Sequence, residues 1–96
     1  MALKPDVRNA AQRFIDSREP KHRRQIVRKI VELCLDPEPA DSQALHGAAK
    51  GERRATAGEY RIIYSVAQSP DPATPGTLSV TAIGKRNDAQ VYRRRK

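Results

Sequence analysis

Gly58-Glu59-Tyr60-Arg61-Ile62-Ile63-Tyr64-Ser65-Val66 decides how this chain folds. In an extended strand successive side chains point to opposite faces, so Tyr60, Ile62, Tyr64 and Val66 share one side, and Arg61, Ile63 and Ser65 the other. A strand with an aromatic and aliphatic face on one side and an arginine on the other belongs to a half-covered sheet, with helices over the apolar face and Arg61 in open space. Gly58 marks the turn into this strand. Alternation predicts a preceding strand at about 53 to 57 and a following one at about 77 to 83. The connection between the last two, 68 to 76, holds three prolines and is long for a hairpin, so a mobile tip is expected.

Upstream the apolar period changes from two to that of a helix. Val7, Ala10, Ala11, Phe14 and Ile15 recur on one face of a short helix running from about Pro5 to Ser17. Pro20, suited to a first helical turn, opens a second stripe of Ile26, Val27, Ile30, Val31, Leu33 and Cys34 that ends at Asp36-Pro37. Two helices separated by so few residues predict an antiparallel hairpin. Residues 36 to 50 contain two prolines and a glycine with little periodicity and read as a connecting segment anchored by Leu45. The expectation is one α+β domain over residues 1–96: a small twisted antiparallel sheet of three to four strands, backed by the N-terminal helical hairpin, with a short C-terminal helix or tail.

Ninety-six residues suit a single domain, and with 38% apolar and 4% aromatic residues the core must be built mainly of Ile, Val, Leu and Ala. The net charge is +8, which favours nucleic acid or an acidic protein as partner. The charge is uneven: residues 36 to 49 carry three acids and no Lys or Arg, whereas 85 to 96 carry six bases and one acid, Asp88. Cys34 is single and lies in an apolar stretch, so it reads as core filler. With no apolar run of membrane-spanning length and no apolar core at the N-terminus, a cytoplasmic protein is expected.

Candidate chemistry narrows by elimination. His22 and His46 are far apart in sequence, the acids do not cluster at ligand spacing, and the five glycines are scattered. No metal, no cofactor, no serine nucleophile elbow and no phosphate loop is therefore expected. Glu32 on a helix and Glu59 at a turn read as structural, and His46 as a loop histidine. Arginine remains. Its planar charged fork binds phosphate in bidentate fashion and can stabilise charge on a pentacoordinate phosphorus. RNA carries its own nucleophile in the 2′-hydroxyl, so cleavage needs alignment, charge neutralisation and proton transfer rather than a metal. Arg61 and Arg86 are the charge stabilisers expected on this reading. Tyr92, six positions after Arg86, could stack on a base or move a proton if neighbouring arginines lower its pKa. Taken singly, Arg61 is also an ordinary strand arginine and Tyr92 an ordinary aromatic anchor.

The order of elements, the Leu45-His46-Gly47 step, Gly58-Glu59-Tyr60-Arg61-Ile62-Ile63-Tyr64 and the Gly84-Lys85-Arg86…Val91-Tyr92-Arg93 ending resemble the RelE/ParE superfamily over about residues 5 to 94. Within it they resemble the RelE branch. The resemblance implies a type II toxin that cuts mRNA in the ribosomal A site without a metal, inhibiting translation. It assigns catalytic roles to Arg61, Arg86, Tyr92 and Arg54, the last aligned by counting back from Gly58. Contacts to mRNA and ribosomal RNA then fall to Lys50, Arg53, Lys85, Arg93, Arg94 and Arg95. It also implies a cognate acidic antitoxin. The sequence departs from the family in two places: Glu52-Arg53-Arg54-Ala55-Thr56 lacks the usual alternation of base and apolar residue, and only Met1 to Lys4 is left for the customary N-terminal strand. The alternatives are a ParE-like gyrase poison, against which the Arg86–Tyr92 spacing argues, and a catalytically inactive RNA- or ribosome-binding module.

Overall fold

The computed structural model describes residues 2–44 and 51–85. Its elements run β1 (Lys4–Val7), α1 (Asn9–Asp16), α2 (Pro20–Leu35), β2 (Gln43–Ala44), β3 (Glu52–Ala57), β4 (Tyr60–Ala67) and β5 (Thr77–Lys85). The strands form one sheet of order β1-β5-β4-β3-β2. The three expected strands are present within two residues of their predicted bounds. The expected C-terminal helix or tail lies outside the described residues.

Three expectations on the fold are corrected. The N-terminal strand is present: Lys4–Val7 pairs parallel with β5, so the five-stranded sheet is mixed rather than wholly antiparallel. Pro5, Asp6 and Val7 therefore belong to a strand and not to the first helix. Proline cannot donate to a ladder, and β1 tolerates it because it lies at the sheet edge. A short strand, β2, also emerges from the proline-rich segment and pairs Gln43 with Arg54 and Ala44 with Arg53. Finally, the second helical stripe divides. Ile26, Ile30, Leu33 and Cys34 are buried, while Val27 and Val31 face outward.

The core lies between the helices and one face of the sheet. Ala11 and Ile15 from α1 join the four buried residues of α2, together with Ala55 and Ala57 from β3, Tyr60, Ile62 and Tyr64 from β4, and Leu78 and Val80 from β5. Complete burial of an aliphatic side chain such as Ile26, Leu33 or Ile62 contributes roughly 1.5–3 kcal/mol, so this layer outweighs the exposed ion pairs of the surface. Cys34 is part of it, and burial pushes its thiol pKa up. Tyr64, the largest fully buried side chain among the described residues, donates its hydroxyl to the Pro37 carbonyl and so fastens the stretch after α2 to the middle of the sheet. Beside it Lys29 of α2 bonds Asp41 at 2.9 Å, tying the chain that enters β2 to the helix.

β5 contains a bulge. Val80 opposes Tyr64 and Ala82 opposes Ile63, leaving Thr81 as the extra residue, with its hydroxyl donating to the Ile63 carbonyl at 3.2 Å. The added residue reverses the facing of everything beyond it. Ile83 thereby opposes Ile62 and packs against the core, and Gly84 opposes Arg61. The loop from Gln68 to Gly76 is organised by Asp71, whose carboxylate accepts from the Ala73 N–H at 2.9 Å and from the Thr74 hydroxyl at 3.2 Å.

The β3–β4 hairpin closes through Gly58-Glu59, with Ala57 paired to Tyr60. Gly58 has φ +61° and no residue other than glycine has positive φ among those described, the backbone pattern of a type II′ turn with glycine first. A Cβ at Gly58 would also run into the Gln25 side-chain amide, a flexible group able to swing aside. Backbone strain therefore dominates, and Gly58→Ala is expected to lower stability by about 1–3 kcal/mol, read as a reduced urea midpoint at unchanged slope.

The Lys29 hydrogen bond, chief among its stabilising contacts, lowers the Asp41 pKa from its usual carboxylate value. A folded pKa below the unfolded one contributes stability that is present above about pH 4 and lost as pH falls through the folded value. With the Asp41 side chain 46% exposed, the contribution is expected to stay below about 1 kcal/mol. Asp41→Asn should lower the urea midpoint at neutral pH, and the difference from the parent should vanish on acidification.

Candidate functional site

Register assigns each basic residue of the sheet to a side. The pairs Ala55–Ile62 and Ala57–Tyr60 lie on the helix side, and so does Arg53–Tyr64. The alternate pairs Arg54–Ile63, Thr56–Arg61 and Glu52–Ser65 lie on the open side. Arg54 and Arg61 thus share the uncovered face, on neighbouring strands and offset by two pairs. Both are half-buried.

Among the described residues, β5 adds little side-chain bulk beside Arg61. Its partner on β5 is Gly84, where an added Cβ would meet nothing within 4 Å, and the adjoining open-face residue of β5 is Ala82. The open face thus carries Arg54 and Arg61 with Ile63 and Thr56, and only glycine and alanine on the adjoining part of β5, an arrangement suited to a planar or anionic ligand. Arg54 Nη2 donates to the Gln43 side-chain carbonyl at 2.8 Å across the β2–β3 pair. Nothing in the sequence singles out Gln43, because the segment carrying it has no periodicity, and only the two-residue strand β2 brings it to Arg54.

Arg53 takes the other side of the sheet. The sequence reading assigns it an RNA contact; the register places it on the helix side, where Nη2 donates to Ser42 Oγ at 2.8 Å and Ser42 in turn donates to the Pro39 carbonyl at 2.8 Å. Arg53 Nε is buried and has no hydrogen-bond partner among the described residues. Its place beside Tyr64 makes it a brace for the segment between α2 and β2. Lys85 opposes Tyr60 on the helix side of the sheet, at the exposed end of β5. Lys50, Arg86, Tyr92, Arg93, Arg94 and Arg95 lie outside the described residues, as do Leu45 and His46.

On the helix side, His22 Nδ1 lies 2.8 Å from the Tyr60 hydroxyl and 3.5 Å from Glu59 Oε2. The imidazole and the phenol ring also meet edge to face at 5.5 Å. This cluster clips α2 to the hairpin turn and agrees with a structural role for Glu59. Among the described residues, no group of three His, Cys, Asp or Glu is placed to hold a metal ion, and no helix is long and apolar enough to cross a membrane.

No protein-family profile and no curated protein sequence matches the chain. Solved structures do. The archaeal RelE in a RelE–RelB complex from Pyrococcus horikoshii superposes with a TM-score of 0.73 at 22% identity, covering 93% of this chain and 100% of that one. A chain of the RelBE2 toxin-antitoxin complex of Mycobacterium tuberculosis gives 0.71 at 18% identity, over 90% and 100%. The isolated Escherichia coli RelE toxin gives 0.70 at 21% identity, over 98% and 95%. With helices on one face of a five-stranded sheet and arginines on the other, the chain has the RelE-type toxin fold.

Proposed function

We propose that this chain is the toxin of a type II toxin-antitoxin pair and a ribosome-dependent endoribonuclease that cleaves mRNA in the decoding site. The observation that supports the reading best is the presence of Arg54 and Arg61 on the same open face of a RelE-type sheet, with Gly84 opposite Arg61. In this reading Arg61 and Arg86 bind the non-bridging oxygens of the scissile phosphate. Arg54, steadied by Gln43, adds a third positive charge where negative charge develops. The 2′-oxygen attacks phosphorus, the bond to the 5′-oxygen breaks, and the products are a 2′,3′-cyclic phosphate and a free 5′-hydroxyl. The 2′-hydroxyl proton leaves and another reaches the 5′-oxygen, with Tyr92 serving as stacking platform or proton carrier. Lys50, Lys85, Arg93, Arg94 and Arg95 hold mRNA and ribosomal RNA by charge. The place of action is the cytoplasm, where ribosomes translate. An acidic antitoxin neutralises the protein, and RelB complexes of the two RelE-type neighbours support such a partner.

The test is primer extension on mRNA from cells briefly expressing the chain. Discrete cuts within translated frames are expected from the parent. Arg61→Ala or Arg86→Ala should reduce cleavage by about 10²–10³, by analogy with removal of an oxyanion-hole donor. Thermal unfolding of Arg61→Ala should stay close to the parent. Growth arrest without cuts would redirect the reading to a gyrase poison, and neither effect would leave a binding module. A second comparison separates neighbours in sequence: Arg54→Ala should lower cleavage, whereas Arg53→Met should lower the urea midpoint and leave cleavage within a few-fold of the parent.

A further inference from the structure

Cleavage by the 2′-hydroxyl needs a group to take its proton, and the open face holds one that the reading above leaves unused. Among the described residues two acids stand on strands at that face: Glu52, opposite Ser65, and Asp6, opposite Ser79. Asp6 lies on the edge strand, 3.6 Å from Arg8 Nε, with β5 and β4 between it and Arg54. Glu52 shares β3 with Arg54. The two are separated by one residue and face the same way, about 6.5–7 Å apart along the strand. Thr56, opposite Arg61, is one more such step in the same direction, so carboxylate, Arg54 and Arg61 follow in order along the hairpin.

Glu52 is half-buried, and among the described residues its carboxylate has no ion pair and accepts no hydrogen bond. Arg54 donates instead to the neutral amide of Gln43. A guanidinium bound to Glu52 would cancel both charges, whereas the bond to Gln43 leaves the arginine positive and the carboxylate an open acceptor. Partial burial of an unpartnered carboxylate costs free energy, and such local violations concentrate at functional sites.

We propose that Glu52 is the general base of the cleavage, a role that rests on the endoribonuclease reading above. With the scissile phosphate held by Arg54 and Arg61, the ribose bearing the attacking 2′-hydroxyl lies toward Glu52, whose carboxylate comes within hydrogen-bond reach of it. The carboxylate accepts the 2′-hydroxyl proton as the bond from the 2′-oxygen to phosphorus forms. The bond from phosphorus to the 5′-oxygen breaks, and the 5′-oxygen takes a proton from water. The carboxyl then returns its proton to the hydroxide left behind, so no net proton is consumed. Arg54, standing between carboxylate and phosphate, offsets their mutual repulsion.

The test uses the purified full-length chain, ribosomes and a short mRNA, with single-turnover cleavage as the readout. Glu52→Gln keeps the shape but cannot take the proton, and should lower the rate by about 10²–10⁴. The loss should persist on mRNA carrying sulfur in place of the 5′-oxygen at the cut, because that leaving group needs no proton while the 2′-hydroxyl must still lose one. Added formate should restore part of the rate in Glu52→Ala, which is not expected of a residue that only supports the fold. Binding of both variants to ribosomes loaded with mRNA methylated at the attacking 2′-oxygen should stay within a few-fold of the parent, and their thermal unfolding close to it. Cleavage by Glu52→Gln within a few-fold of the parent, a loss that the sulfur substrate abolishes, a loss matched by weaker binding, or no rescue by formate would overturn this proposal alone. No cleavage by the parent would overturn the endoribonuclease reading and the proposal with it.

Discussion

The β3–β4 register is the constraint on which the rest depends. A two-residue turn at Gly58-Glu59 allows only one pairing of the two strands, with Ala57 opposite Tyr60 and each later pair set by it. Because side chains alternate strictly, a slip of one residue would carry Arg53 to the open face and Arg54 into the helix layer. It would also expose Ala55 and Ala57. The energetic reason for the native register is therefore apolar, since small alanines leave room for α2 to approach while Tyr60, Ile62 and Tyr64 fill the layer. The arginines are sorted as a consequence.

That sorting produces two guanidinium groups with different tasks from adjacent positions. Arg53 is committed to Ser42 beside the buried Tyr64, in surroundings where an unpaired polar group is costly. Arg54 reaches across to Gln43 on the uncovered side. The stretch from the end of α2 through β2 serves both, anchored by the Lys29–Asp41 pair and by the Tyr64 hydroxyl on the Pro37 carbonyl. A segment without periodicity is thus held from below by the core and from the side by an ion pair, and it delivers a hydrogen-bonding partner to each arginine.

The open face so generated carries arginines beside glycine and alanine, suited to phosphate and flat bases. A net positive charge attracts polyanions to it.

Much of this could be read directly from residue order. The alternation from Tyr60 to Val66 determined the middle strand, its buried side and the outward facing of Arg61, because period two admits no other arrangement. Pro20 and Asp36-Pro37 marked the ends of α2, since proline suits a first turn and blocks continuation. Tertiary structure alone decided the remainder. Val7 pairs with Val80 in β1 although its spacing also suits the first helix, and four residues are too few for periodicity to choose. Val27 and Val31 lie at the margin of a helical stripe too broad for the sheet to cover, so contact geometry and not hydrophobicity placed them outside. The bulge at Thr81 put Ile83 in the core and Gly84 beside Arg61, against the simple alternation of Leu78, Val80 and Ala82. Local pattern specifies what a segment can bury; which neighbour arrives to bury it, and in which register, is settled only when the strands meet.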